Sequence, residues 1–140
     1  MTVYSAMTGI PADPATVLRV LLDPSAVPEW NPAITRVATL ETEARPGVAY
    51  GVTVRSLLRG TLTYAPRHSN LLVEYELRAP GAVEKGRWLL HGAENGTTEV
   101  EHTFEHGGFL LARMSSAFER VASWRLERLK SFAEASAAAR

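Results

Sequence analysis

Five turn signals at roughly ten-residue intervals constrain this chain more than any other feature. They are Arg45-Pro46-Gly47, Leu58-Arg59-Gly60, His68-Ser69-Asn70, Ala79-Pro80-Gly81 and Glu94-Asn95-Gly96, spaced as an antiparallel meander requires. They divide the stretch from Ala33 to His106 into six expected strands. Asn95-Gly96 is the strongest hairpin signal, because both residue types tolerate the positive φ of a tight primed turn. Leu71, Val73, Tyr75 and Leu77 alternate with Leu72, Glu74, Glu76 and Arg78, and Val100, His102 and Phe104 alternate with Glu99, Glu101, Thr103 and Glu105. One face of the sheet is therefore expected to be wet, while the other needs a second layer to bury it.

That layer is predicted after Gly107-Gly108, where about 25 residues from Phe109 onward lack Gly and Pro and are rich in helix formers. Leu111, Met114, Phe118, Val121, Arg125, Leu129 and Phe132 fall close to one stripe. At about 1.5 Å per residue the helix would run on the order of 40 Å, with a fraying tail from Ala133. Upstream, Thr2 to Ile10 reads as an opening strand. Asp13 can cap a helix that has Pro14 in its first turn and Val17, Leu18, Leu21 and Leu22 at helical spacing. Asp23-Pro24 ends it before a second brief turn from Ser25, and Glu29-Trp30-Asn31-Pro32 follows. The expected fold is α+β, in the order strand, two short helices, six strands and one long helix, within one domain over residues 1–140.

Fifteen basic residues balance fifteen acidic ones, so no excess positive field exists to gather nucleic acid or anionic lipid headgroups. The absence of cysteine removes disulfides, thiolate metal sites and cysteine nucleophiles. No secretory signal or membrane-spanning run is visible, so a cytoplasmic protein without stable membrane insertion is expected, as monomer or homodimer. The glycines form no phosphate-cradling pattern, and no cofactor is expected. His102-Thr103-Phe104-Glu105-His106 has the letters of an inverted zinc-protease motif. On a strand, however, the two histidines would stand roughly 13 Å apart at about 3.3 Å per residue, so no metal site is expected.

The element order resembles the START-like, Bet v 1-like helix-grip (SRPBCC) superfamily, and within it the polyketide cyclase/dehydrase group. The matching text is Ile10-Pro11-Ala12-Asp13-Pro14-Ala15, Leu22-Asp23-Pro24, Glu29-Trp30-Asn31-Pro32 and Arg128-Leu129-Lys130. The resemblance implies a curved sheet of about seven strands wrapped around the C-terminal helix, enclosing a cavity for a small hydrophobic molecule. It is compatible with cyclisation, aromatisation or dehydration, with a non-catalytic carrier or sensor of aromatic, polyketide-like or lipid-like ligands, and with a protein-interaction module that has no open pocket.

Within that frame His102 shares parity with Val100 and Phe104 and is the candidate general acid/base, against the alternative of a hydrogen-bonded core histidine. Tyr50 and Tyr75 share faces with Val52, Val54, Val73 and Leu77, and Tyr64 lies nearby; each phenol either orients a ligand or bonds to protein. Trp88 is expected in the lining with Phe104, Met114, Phe118 and Val121. Trp30 is placed either at a pocket mouth or as a plug at the sheet end. Arg125 interrupts the apolar stripe, where it either holds a carboxylate or enolate or snorkels to the helix edge.

Overall fold

The computed structural model describes residues 2–108, 111 and 118–139. Strand β1 (Thr2–Ile10) leads to helix α1 (Pro14–Leu21), a 3-10 turn (Pro24–Ala26) and the single-turn helix α2 (Val27–Trp30). Six strands follow: β2 (Ile34–Val37), β3 (Ala49–Val54), β4 (Leu58–Tyr64), β5 (Leu72–Ala79), β6 (Ala82–Glu94) and β7 (Thr97–Gly107). Helix α3 (Val121–Ala138) closes the described chain. The strands form one antiparallel sheet of seven in the order β1-β7-β6-β5-β4-β3-β2. The sequence placed these elements because period two governs residues 33 to 106 and helical spacing governs both flanks.

Local chemistry fixes the ends of α1. The Asp13 carboxylate accepts the Thr16 amide at 2.7 Å, satisfying one of the open donors of the first turn. Pro14 sits where no N–H is needed. Val17 and Leu21 are wholly buried on its inner face, and each such side chain contributes about 1.5–3 kcal/mol by leaving water. Asp23-Pro24 stops the helix and starts the 3-10 turn, where Asp23 caps the Ser25 amide at 3.0 Å.

Inward parity on the central strands is regular. Trp88 and Leu90 of β6 face Val100, His102 and Phe104 of β7, all of them buried. Asn95 and Gly96 adopt φ of 56° and 76°, as the hairpin signal requires.

Three expectations need correction. The turn assigned to Leu58-Arg59-Gly60 lies instead at Arg55–Leu57, and Leu58 to Gly60 belong to β4. Gly60 is a close-approach glycine: a side chain there would strike the carbonyl of Arg78 on the neighbouring strand. The helix expected from Phe109 has its start outside the described residues. What is described is a turn at Phe118–Arg120 and then the 18 residues of α3, about 27 Å of helix. Its buried face is Ala122, Arg125, Leu126, Leu129 and Ala133, one step from the expected stripe. The expected fraying from Ala133 is also absent, since Ala133 is fully buried and the helix continues to Ala138.

Helix α3 packs on β1, β7, α1 and α2, so the core lies between the inner face of the sheet and the helical layer. No described helix is long and apolar enough to cross a membrane.

Candidate ligand cavity

The sheet and α3 do not meet everywhere. A cavity of about 340 Å³ opens between them at one end. Its wall comes from the α2–β2 connection (Asn31, Pro32, Ala33), the β3–β4 hairpin (Val54, Arg55, Leu58), the β5–β6 hairpin (Leu77, Ala79, Ala82), and Phe118, Val121 and Trp124 at the start of α3. Leu111 completes the apolar part. Three ionisable side chains, Glu84, His106 and Arg125, form a polar wall.

The polar wall is one connected cluster. Arg125 donates from Nη1 to Glu84 Oε2 at 2.8 Å and from Nη2 to Oε1 at 3.0 Å, a two-pronged ion pair with both partners almost fully buried. Tyr75 donates its phenol to Glu84 Oε2 at 2.5 Å, and His106 Nε2 lies 2.7 Å from Oε1. Burial alone would raise the Glu84 carboxyl, but Arg125, His106 and Tyr75 together hold it well below the usual carboxylate range. Burial, then the adjacent Glu84 carboxylate, pushes the Tyr75 phenol well up, so it stays a donor. The guanidinium also lies over the Phe104 ring, 4.6 Å from its centre.

Opposite an ionised carboxylate, the His106 imidazole donates from Nε2. Its Nδ1 is buried and has no hydrogen-bond partner among the described residues. The Glu84 carboxylate thus fixes the orientation of the ring, with Nδ1 sealed beneath its neighbours. The Phe118 ring stands edge-on against it at 4.4 Å.

The structure divides the expected lining. Val54, Phe118, Val121 and Arg125 do line the cavity. Met114 lies outside the described residues. His102 does not face the cavity: its ring stacks on Trp88 at 3.7 Å, with Nδ1 donating to the Arg87 carbonyl at 3.1 Å and Nε2 accepting from Arg125 at 3.2 Å. Burial and then the Arg125 charge push its pKa down to about 3. It is a neutral spacer behind Arg125, placed poorly for proton exchange.

Trp30 meets Trp88 edge-on at 5.1 Å, so these rings fill the middle of the sheet–helix space. Tyr50, Val52 and Tyr64 belong to the core. Tyr50 donates to Glu41 at 2.6 Å and accepts the Arg45 amide at 2.8 Å, while burial raises the Tyr64 phenol. Tyr75 and Phe104 stand behind the cavity wall through Glu84 and Arg125. Arg125 does not snorkel, being only 3% exposed.

Residue-by-residue reading missed Glu84, His106, Arg55, Asn31 and Trp124. Glu84 carried a usable signal, since it shares strand parity with Trp88 and Leu90 and so had to point inward beside a helix bearing an arginine.

Comparison with known proteins agrees with this architecture. The chain belongs to the polyketide cyclase / dehydrase and lipid transport family, whose profile matches residues 1–134. The fold is the helix-grip arrangement of the START-like, SRPBCC group. Among solved structures it is similar to the Zhui aromatase/cyclase from a Streptomyces species, with TM-score 0.77 and 15% identity, covering 95% of this chain and 93% of that one. It is also similar to a hypothetical protein of Helicobacter pylori, with TM-score 0.74 and 10% identity, covering 94% and 88%. A protein of Thermus thermophilus gives TM-score 0.72 and 17% identity, covering 96% and 99%. At such identities these likenesses establish fold alone. No curated protein matches by sequence.

Proposed function

We propose that the cavity binds a small, largely hydrophobic molecule, aromatic, polyketide-like or lipid-like, and that His106 rather than His102 exchanges a proton with it through Nδ1 when the packing over that atom opens. The observation that carries the binding reading is the 340 Å³ space walled mainly by apolar side chains with one buried polar cluster, the usual composition of a small-molecule site. The family and the aromatase/cyclase neighbour support cyclisation, aromatisation or dehydration as the chemistry, each of which needs a base beside a carbon acid or hydroxyl. Glu84 orients His106 for that task, and no residue of the cluster needs a metal to perform it.

A carrier without catalysis is the second reading. It is favoured by the seal on Nδ1, which has no exposed surface beneath the packing around it. Two measurements separate the readings. The fluorescent naphthylamine N-phenyl-1-naphthylamine should bind wild-type protein and lose at least tenfold in affinity in Val121→Trp, which fills the space; unchanged binding would remove the cavity reading. Ring opening of 5-nitrobenzisoxazole, which requires only a base in an apolar site, should proceed in wild type and fall at least tenfold in His106→Ala. Equal rates in the two proteins leave the carrier as the function.

A further inference from the structure

The guanidinium expected to meet an anionic ligand was Arg125, but Glu84 already neutralises it. Of the cationic side chains in the cavity wall, Arg55 alone has no carboxylate within ion-pair distance among the described residues. It is both solvent-exposed and part of the wall, which places it at the rim. Trp124, also in the wall, is 61% exposed and marks the same rim. Arg125 and Glu84 cancel, so among the described residues the Arg55 charge stands uncompensated at the mouth, with carbon over most of the interior.

The backbone that presents Arg55 is unusual. Arg55 and Ser56 both adopt positive φ, 52° and 62°, and the Leu57 amide closes the turn onto the Val54 carbonyl at 3.1 Å. Asn-Gly is the natural choice for such a turn, because an ordinary side chain is disfavoured there. Two cross-strand bonds hold the conformation: the Arg55 amide donates to the Ala33 carbonyl at 2.8 Å and the Ser56 amide to Thr35 Oγ1 at 3.0 Å. A strained, doubly pinned arginine at the mouth of a cavity is a reason to look for a role in binding.

We infer that Arg55 seats the oxyanion head of an amphiphile whose apolar body occupies the cavity. This rests on the cavity-binding reading and specifies its ligand: a molecule with a carboxylate or phosphate end left at the rim, rather than a wholly neutral hydrocarbon. Solvent reaches the rim, so the contact is a charge-assisted hydrogen bond of moderate strength that weakens with salt.

The test compares two probes that share one aromatic body, N-phenyl-1-naphthylamine and its anionic relative 1-anilinonaphthalene-8-sulfonate. Arg55→Ala should weaken the sulfonate about fivefold and leave the neutral probe within about twofold. The double variant Arg55→Asn, Ser56→Gly should show the same selective loss while the melting temperature rises by a few degrees, because the turn is relieved. Equal effects on both probes, or none on either, overturn the inference while leaving the cavity reading intact. Failure of both probes to bind wild type removes the cavity reading and the inference with it. Decanoate and decyl phosphate, as competitors, then distinguish a carboxylate from a phosphate head, and displacement by neutral decanol at equal concentration contradicts the anion requirement.

Discussion

Glu84 and His106 are register partners across β6 and β7, and the carboxylate Oε1 of one lies 2.7 Å from the imidazole Nε2 of the other. Arg125 reaches the same carboxylate from α3 and Tyr75 reaches it from β5. One buried carboxylate thus ties together three strands and the C-terminal helix, and the cluster can be tested as a unit.

Removing only the cation leaves Glu84 charged in a dry setting. Arg125→Met is expected to destabilise the fold by about 3–5 kcal/mol, whereas the double change with Glu84→Leu recovers at least half of that loss. Urea unfolding of the two single variants and the double variant measures the coupling. A double variant as unstable as the sum of the singles would contradict a direct pair.

Acid should unfold the protein in an interpretable order. The folded pKa of His102 is depressed to about 3, so below the ordinary histidine value the unfolded chain binds a proton that the folded chain refuses. Its contribution is fully present above about pH 6.5 and is lost as pH falls toward 3, at up to about 1.4 kcal/mol per pH unit. The depressed Glu84 carboxyl adds a loss in the same direction that begins only near the ordinary carboxylate range. In His102→Gln the slope between pH 6.5 and 5 should flatten; an unchanged slope assigns the effect elsewhere.

Gly86 is required by its neighbour. It pairs with Tyr75 across β5 and β6, and a side chain there would collide with the phenol ring that reaches Glu84. Gly86→Ala should cost about 2–3 kcal/mol by displacing Tyr75 or the strand. In a Tyr75→Ala background the same change should cost less than half as much, which a thermodynamic cycle will show.

Ser56 holds a positive φ without being glycine. Ser56→Gly should therefore stabilise the protein by about 1 kcal/mol, read from the denaturation midpoint, without altering binding of neutral probes. No gain in stability would mean that the turn carries no strain.

The fold was legible because alternation and turn residues are local properties. Parity put His102, Phe104 and Trp88 on the inner face, and all three are there. Gly60 misled because a glycine required by a neighbouring carbonyl has the same letter as one required by a turn. The cavity was harder to place, since an empty space depends on how rings fill the gap between layers. Trp30, Trp88 and His102 fill its middle, which leaves room only toward Val54, Phe118 and Val121. Arg125 was visible as an anomaly in an apolar stripe, yet its partner sits 41 positions earlier on a strand, and only the fold brings them together.

The two-pronged contact between Arg125 and Glu84 has a consequence for how α3 finds its seat. Sliding the helix by one turn, about 5.4 Å, would strand both charges in surroundings that cannot solvate them. Greasy side chains tolerate many alignments, but this ionic key fits one notch, so the chain's last helix has a single stopping point along the sheet.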